Sequence, residues 1–325
     1  MSEPLLKIKD LIVEFPTRRA LLRAVDKVSF EIAKGEVLGV VGESGAGKSL
    51  TGAAIIGLLE PPGRIAGGEI YFDGQRIDNL ADEQMRHLRG KRIAMIFQDP
   101  LTSLNPLYRV GEQLIETIQT HLPMNKKQAR KRAIELLDEV GIPAPETRID
   151  GYPHQFSGGM RQRVVIALVL AGEPDLIIAD EPTTALDVSI QAQIISVLKR
   201  LCSERGTAIM LITHDMGVIA EIADRMAVMY SGQIVEIGKT YDLIKNPKHP
   251  YTKGLMGSIP SMSGEVKRLV QIPGSMPRLN DIPSGCSFHP RCSKVFEPCY
   301  SKRSPQIKVG QSDVACWLYS EEDKK

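Results

Sequence analysis

The feature that most restricts the fold is a glycine-rich loop, which reads Gly42-Glu43-Ser44-Gly45-Ala46-Gly47-Lys48-Ser49 and fits the pattern G-x-x-x-x-G-K-S. The apolar run from Val37 to Val41 precedes it and predicts a short buried strand. The segment from Leu50 to Leu59 follows it and predicts a buried helix. In this setting, converging backbone N–H groups and the start of a helix both favour a bound phosphate. The chain is therefore expected to adopt an α/β fold with a phosphate-binding loop.

Within this loop, two side chains carry specific chemical expectations. The Lys48 ammonium is expected on the β- and γ-phosphates of a nucleotide, and the Ser49 hydroxyl is expected to be a ligand of Mg²⁺. The remaining phosphate contacts are expected from the positions around them, namely Gly42, Glu43, Ser44, Gly45, Ala46, Gly47 and Leu50. A glycine-rich turn without a ligand is the alternative, and it is disfavoured because every fixed position of the pattern is filled.

Two adjacent carboxylates follow a second apolar strand, predicted at Leu176 to Ala179. Asp180 and Glu181 stand at its carboxyl end, where the ligands of parallel sheets collect. We expect Asp180 to hold Mg²⁺ and Glu181 to polarise the water that attacks the γ-phosphate. A strand that ends in Asp-Glu is by itself usually a solvated strand end, so this prediction depends on the glycine-rich loop.

The order of elements predicts a largely parallel sheet with a helical insertion. The strand at 176–179 is followed by strands predicted at Ala208 to Thr213 and Met226 to Met229, with helical stretches between them. From about residue 99 to residue 165 the pattern changes to helices and polar turns, which indicates an inserted helical subdomain. We expect a nucleotide-binding domain over residues 1–246 and a Pro- and Cys-containing, irregular extension over residues 247–325, here called the extension.

Composition narrows the classes of function. The 325 residues include 41 Lys and Arg against 39 Asp and Glu, a formal net charge of +2, which gives no bulk attraction to nucleic acid. No run of about eighteen apolar residues occurs, the length that a spanning helix needs. The first ten residues carry Glu3, Lys7, Lys9 and Asp10 in place of the apolar core of a secretory signal. Any membrane role is therefore expected to be peripheral.

Three further motifs carry a family resemblance. They are Phe97-Gln98-Asp99-Pro100 after a predicted strand, Phe156-Ser157-Gly158-Gly159-Met160-Arg161-Gln162 before a helix, and Thr213-His214-Asp215 at the end of a strand. With the loop and the carboxylates in this order, residues from Leu5 to Ile244 resemble the ATP-binding cassette family. The resemblance implies a P-loop NTPase fold, in which a RecA-like mixed sheet carries an antiparallel β subdomain and the helical insertion. It also implies ATP and Mg²⁺ as cofactors.

The resemblance assigns roles to the matching positions. Gln98 would reach the Mg²⁺ and the attacking water, and His214 would contact the γ-phosphate. Asp187 would lie at a dimer contact. Phe15 would stack on adenine, although a core phenylalanine is an equally good interpretation of this position. Met160 departs from the glutamine that the family commonly has there, so no ligand role is expected of it.

The segment around Ser157 also reads as an anion site without the resemblance. Ser157 is a candidate helix cap, and Gly158 and Gly159 expose unhindered N–H groups at a helix start. The sequence thus has two candidate phosphate-binding helix N-termini that are far apart in the chain. They are explained if two copies of the chain associate face to face with two nucleotides between them. The family resemblance implies the same: Ser157, Gly158 and Gly159 would bind the γ-phosphate of ATP held by the opposite protomer.

The extension adds a second resemblance. The stretch from His249 to Leu255 and the cysteines beyond it resemble the C-terminal region of ATPase subunits from dipeptide and oligopeptide importers. This implies a partner ATPase of the same family, two permease subunits and an external peptide-binding protein, with the chain on the cytoplasmic face of the membrane. Importers of nickel, glutathione and other small solutes share the subfamily, so the solute stays open. A soluble cassette ATPase that acts on ribosomes or DNA is disfavoured, because the chain has one cassette and no basic tract.

Four cysteines crowd the extension: Cys286, Cys292, Cys299 and Cys316. In a chain without an export signal they favour metal or cluster ligation over disulfides. Four thiolates are enough to bind zinc or a [4Fe–4S] cluster. Their spacing, however, matches neither the C-x-x-C pair of zinc sites nor the cysteine run of ferredoxins. Resemblance to related importer ATPases favours the iron–sulfur cluster, with zinc and unligated thiols as the alternatives.

Overall fold

The computed structural model describes residues 3–18, 20–99, 103–183, 188–258 and 271–320. The chain divides into two compact units. Unit 1 comprises Met1–Ile32, Val37–Asn79 and Ile212–Lys325, and unit 2 comprises Ala33–Glu36 and Leu80–Leu211.

The elements follow one another in a mixed α/β order. The strands are β1 (Leu6–Pro16), β2 (Leu21–Ile32), β3 (Val37–Val41), β4 (Arg64–Phe72), β5 (Gln75–Arg76), β6 (Ile93–Ile96), β7 (Leu176–Asp180), β8 (Ala208–Ile212), β9 (Arg225–Tyr230), β10 (Gln233–Lys239), β11 (Gln306–Val309) and β12 (Ser312–Ala315). The helices are Lys48–Ile55, Asp82–Leu88, Val110–His121, Lys126–Glu139, Pro145–Arg148, Gly158–Leu170, Val188–Arg205, Met216–Ile222, Thr240–Lys245, Pro250–Gly257 and Pro298–Ser301.

Unit 1 contains an antiparallel sheet in the order β2-β1-β4-β5. A second set of strands runs in the order β11-β12-β10-β9-β3, in which β3 and β9 are parallel and the other neighbours are antiparallel. The expected antiparallel β subdomain is thus present. Because β11 and β12 pair with β10, part of the extension belongs to the same sheet as the strand that precedes the glycine-rich loop.

Unit 2 contains the strands β8, β7 and β6 in that order, with β6 and β7 parallel. Every residue of β7 is buried, which explains its continuous apolar sequence. Helices fill the region between β6 and β7, as the sequence predicts. Asn125 caps the helix Lys126–Glu139, because its side chain accepts a hydrogen bond of 3.0 Å from the Gln128 N–H.

Candidate functional site

The glycine-rich loop forms a tight turn between β3 and the helix Lys48–Ile55. Gly42 has a φ of 154°, and a Cβ at this position would lie 2.2 Å from the Met229 carbonyl oxygen. Only glycine allows the backbone of the loop to pass so close to β9. Gly47 takes the cap position of the helix with a left-handed φ of 97°. The glycines therefore shape a turn whose N–H groups lead into a helix N-terminus.

Lys48 is the cation of this turn. Its side chain is buried, with the residue 6% exposed, and Nζ donates hydrogen bonds to the carbonyl oxygens of Gly42 at 2.9 Å and Glu43 at 3.1 Å. The buried Lys48 ammonium provides positive charge, and the adjacent helix N-terminus provides backbone N–H donors. Nucleotide phosphates require both. Ser49 follows as an exposed residue at the first turn of the helix. The residues present thus fit a nucleotide.

Asp180 is the last residue of β7 and Glu181 follows it, as the sequence predicts, and the two differ in environment. Asp180 is buried, whereas Glu181 is partly exposed and has a φ of 46°. A left-handed conformation outside glycine costs on the order of 1–3 kcal/mol and tends to persist at functional sites. A buried carboxylate followed by a more accessible one fits the expected division between a cation ligand and a base.

Gln98 and Glu181 are in direct contact. The Gln98 Nε2 donates a hydrogen bond of 3.0 Å to a Glu181 carboxylate oxygen. The parallel register of β6 and β7 pairs Ile96 with Ala179, so each of the two side chains stands two residues beyond that pair. The structure therefore brings together the two residues expected at the attacking water, Glu181 from its place at a strand end and Gln98 from the family resemblance.

Ser157 caps the helix Gly158–Leu170 as predicted, because its hydroxyl accepts a hydrogen bond of 3.3 Å from the Met160 N–H. Gly159 is buried, and a Cβ at this position would lie 2.8 Å from Ile190 Cγ2. Close packing against the helix Val188–Arg205 is therefore one reason for glycine at 159. Sequence reasoning considered only the phosphate contact.

His214 is exposed after β8, and it lines a cavity of about 400 Å³ together with Gly42 and Glu43 of the loop. The next residue, Asp215, caps the helix Met216–Ile222, since its carboxylate accepts hydrogen bonds from the N–H groups of Gly217 at 2.8 Å and Val218 at 3.2 Å. His214 is thus held between a strand and a capped helix, beside the glycine-rich loop.

Phe15 lies on β1 and is half-buried, and its ring packs against Gly63. The predicted dimer-contact residue Asp187 lies outside the described residues, as does Pro100.

The prediction of an iron–sulfur cluster on Cys286, Cys292, Cys299 and Cys316 is wrong. In the described ranges, which include all four cysteines, no group of three or more His, Cys, Asp or Glu residues is placed to hold a metal ion. The four cysteines are free. Burial raises the pKa of Cys286 and Cys292, and it raises that of Cys316 to about 11, so the thiol is favoured over the thiolate that a metal requires.

Sequence reasoning missed the residues of the extension that touch the glycine-rich loop. Arg291 forms a salt bridge with Glu43, and the Tyr251 hydroxyl accepts a hydrogen bond of 2.9 Å from the Glu43 N–H. Arg291 is 248 residues from Glu43 in the chain, and no motif or periodicity links the two. The resemblance around His249 to Leu255 was the one signal near them, and it named no contact.

Two family models match the chain. The model described as ABC transporter matches residues 25–184, and the model described as oligopeptide/dipeptide transporter, C-terminal region, matches residues 235–299. The oligopeptide transport ATP-binding protein OppD of Bacillus subtilis is 50% identical over 318 residues, which cover 97% of this chain and 88% of that protein. The chain belongs to the ABC transporter family. This membership makes it an ATP-hydrolysing protein that uses Mg²⁺.

Further relatives agree with this assignment. The dipeptide transport ATP-binding protein DppD of Escherichia coli is 48% identical over 295 residues, which cover 91% of this chain and 90% of that protein. Among solved structures, the ATP-binding cassette MJ0796, a dimer in a post-hydrolysis state bound to ADP and Pi, has a TM-score of 0.66 and 30% identity. That likeness covers 72% of this chain and 98% of the solved chain. The expected P-loop NTPase fold is thus confirmed.

Across the described residues, none of the helices combines the length and the apolar character needed to cross a membrane.

Proposed function

We propose that this ABC family ATPase is the energy-coupling subunit of an importer for dipeptides or oligopeptides. The observation that carries its hydrolytic role is the hydrogen bond between Gln98 and Glu181. The transported class is supported by the two relatives, whose names are oligopeptide and dipeptide transport ATP-binding proteins, and by the match of residues 235–299.

In this proposal, the loop residues bind the nucleotide, and the residues that follow β6 and β7 serve the hydrolytic step. In unit 1, Lys48 binds the β- and γ-phosphates of ATP, His214 contacts the γ-phosphate, and Ser49 is a ligand of Mg²⁺. Asp180 and Gln98 would hold the Mg²⁺, which would offset charge on the phosphates, and Glu181 accepts the proton of the attacking water. The phosphate contacts come from Gly42, Ser44, Gly45, Ala46, Gly47 and Leu50, and Phe15 stacks on the adenine. Glu43, which the sequence also predicts as a contact, donates its N–H to the Tyr251 hydroxyl.

A second cassette completes the site. Ser157, Gly158 and Gly159 contact the γ-phosphate of ATP bound to the opposite subunit, so that ATP holds the two subunits together and hydrolysis releases them. The capped helix that begins at Gly158 supports this role, because helix N-termini favour anions. A homologous subunit is the proposed partner, as in importers with two different ATPases.

The proposed membrane partner is a pair of permease subunits, contacted on the cytoplasmic face. Support comes from large apolar side chains that unit 2 leaves exposed near Gln98 in the sequence: Phe97 at 45%, Leu107 at 80% and Tyr108 at 55%. Exposed apolar and aromatic side chains of this kind are enriched at protein interfaces. An external peptide-binding protein would deliver the solute, which does not touch this subunit.

The test is co-purification from membranes, followed by ATPase assays of the reconstituted complex. We expect a peptide-loaded binding protein to stimulate ATP turnover, and a nickel- or glutathione-loaded one to leave it at the basal rate. Stimulation by nickel or glutathione alone would reassign the solute. Association with ribosomes or DNA and no permease would contradict the transport role.

A further inference from the structure

One arginine of the extension forms a salt bridge with the glycine-rich loop. Arg291 Nη1 lies 3.0 Å from each carboxylate oxygen of Glu43, the second residue of the loop. The Arg291 side chain is 7% exposed and that of Glu43 is 31% exposed. Charges that are largely removed from water interact more strongly than surface pairs, and losing one partner leaves the other uncompensated.

The guanidinium of Arg291 is fixed from several directions. Its Nε donates a hydrogen bond of 2.8 Å to the Pro273 carbonyl oxygen, and Nη2 donates one of 3.3 Å to that of Gly274. Nη1 also lies 3.4 Å from the Tyr230 hydroxyl, at the end of β9. A planar fork can satisfy these partners together, whereas an ammonium cannot. These hydrogen bonds therefore fix the Arg291 side chain independently of its salt bridge with Glu43.

A second residue of the extension holds the backbone at the same position. Tyr251 is fully buried, and its hydroxyl accepts the hydrogen bond from the Glu43 N–H. The Tyr251 ring packs on Tyr230 at 4.7 Å and on Phe288 at 5.4 Å between ring centres. Glu43 is thus held at its backbone by Tyr251 and at its side chain by Arg291.

Glu43 is an unfavourable residue for an anion site unless its charge is offset. A carboxylate within a phosphate-binding loop repels a triphosphate, because like charges at short distance destabilise each other. We propose that Arg291 is a positioning residue of the nucleotide site, which neutralises Glu43 and holds it so that the loop accepts ATP. The extension then sets the affinity for nucleotide, and this inference rests on the proposed binding of ATP by the glycine-rich loop.

The experiment is a double-mutant cycle read by the dissociation constant of Mg-ATP. We expect Arg291→Met to raise this constant about tenfold at low salt, and less at high salt, because the unpaired carboxylate repels the triphosphate. Adding Glu43→Gln to Arg291→Met should return the constant to within about twofold of the wild-type value, since the pair then carries neither charge, as in the neutralised wild type. A purely structural role for Arg291 predicts no such rescue.

Arg303→Met is the matched control. Arg303 also belongs to the extension and pairs with an acid of unit 1, Asp26 on β2, away from the loop in sequence. We expect it to leave the dissociation constant unchanged. If Arg291→Met does not fold, Arg291→Lys replaces it in the cycle, with a smaller rise that Glu43→Gln again removes.

Two results would overturn the inference. The first is that folded Arg291→Met, or Arg291→Lys in its place, binds Mg-ATP as tightly as the wild type. The second is that the weakened Mg-ATP binding persists in full when Glu43→Gln is added. Lys48→Ala separates this from failure of the proposed site. If Lys48→Ala binds ATP as tightly as the wild type, the loop is not the nucleotide site. If it loses ATP while the cycle shows no coupling, only the role of Arg291 is contradicted.

Discussion

Gln98 donates a hydrogen bond to Glu181 although the two residues are 83 positions apart in the chain. The contact follows from the parallel pairing of β6 with β7, which places Ile96 beside Ala179 and carries both chains forward by two residues. The Gln98 amide can therefore orient the Glu181 carboxylate before substrate binds. A general base that is already oriented lowers the activation free energy of the chemical step.

Removing this amide should slow hydrolysis. We expect Gln98→Ala to lower kcat about tenfold or more while KM for ATP changes by a smaller factor, because the carboxylate loses its orienting donor. Steady-state kinetics measure the split between the two parameters. A rise in KM with kcat unchanged would show that Gln98 contributes binding and does not act through Glu181.

The packing at Gly159 predicts a second-site rescue. Gly159→Ala places a methyl group against Ile190, so we expect the free energy of unfolding to fall by about 1–3 kcal/mol. Adding Ile190→Ala removes the opposing methyl groups and should recover part of that loss, measured by denaturant unfolding. Equal stability of Gly159→Ala and the wild type would contradict the tight packing. ATP turnover of the stabilised double variant then reports how much the proposed phosphate contact depends on glycine.

His249 predicts an acid-dependent loss of stability in the extension. It caps the helix Pro250–Gly257 by accepting the Tyr251 N–H at 3.1 Å, and burial lowers its pKa from 6.5 to about 3. Between these two values the unfolded chain binds a proton that the folded chain does not. The free energy of unfolding should therefore fall as the pH decreases from about 6.5 towards about 3, by up to ~1.4 kcal/mol per pH unit.

His249→Asn is the comparison for that prediction, because asparagine can accept the same capping hydrogen bond and does not titrate. Chemical unfolding across this pH range should give a shallower dependence for the variant than for the wild type. Identical slopes would mean that His249 does not contribute to the acid sensitivity. Carboxylates that titrate in the same range affect both proteins alike and cancel in the difference.

Much of the cassette could be predicted from the sequence, because its signals are local. The loop from Gly42 to Ser49 fills a fixed pattern, and an apolar run such as β7 leaves few alternatives to a buried strand. Ser157 stands where a helix cap is expected, and it makes the capping hydrogen bond. Gln98 and Glu181 are each expected to act on the attacking water, but nothing in the sequence predicts the hydrogen bond between them.

The extension could not be predicted in the same way. Its strands β11 and β12 have four residues each, too short for a hydrophobic period to be recognised. The pairing of Arg291 with Glu43 depends on tertiary structure that no local pattern encodes. The predicted cluster on the four cysteines is wrong for a related reason: four thiols in a short segment resemble a ligand set, but spacing in the sequence does not establish coordination geometry.

The most direct test of the account is the ATP turnover of Glu181→Gln, measured together with its nucleotide binding. The amide keeps the size of the side chain but cannot accept a proton from water. We expect the variant to bind ATP and remain associated with its partner cassette, while turnover falls by about a hundredfold or more. Hydrolysis at the wild-type rate would contradict the assignment of Glu181 as the base, and with it the proposed mechanism.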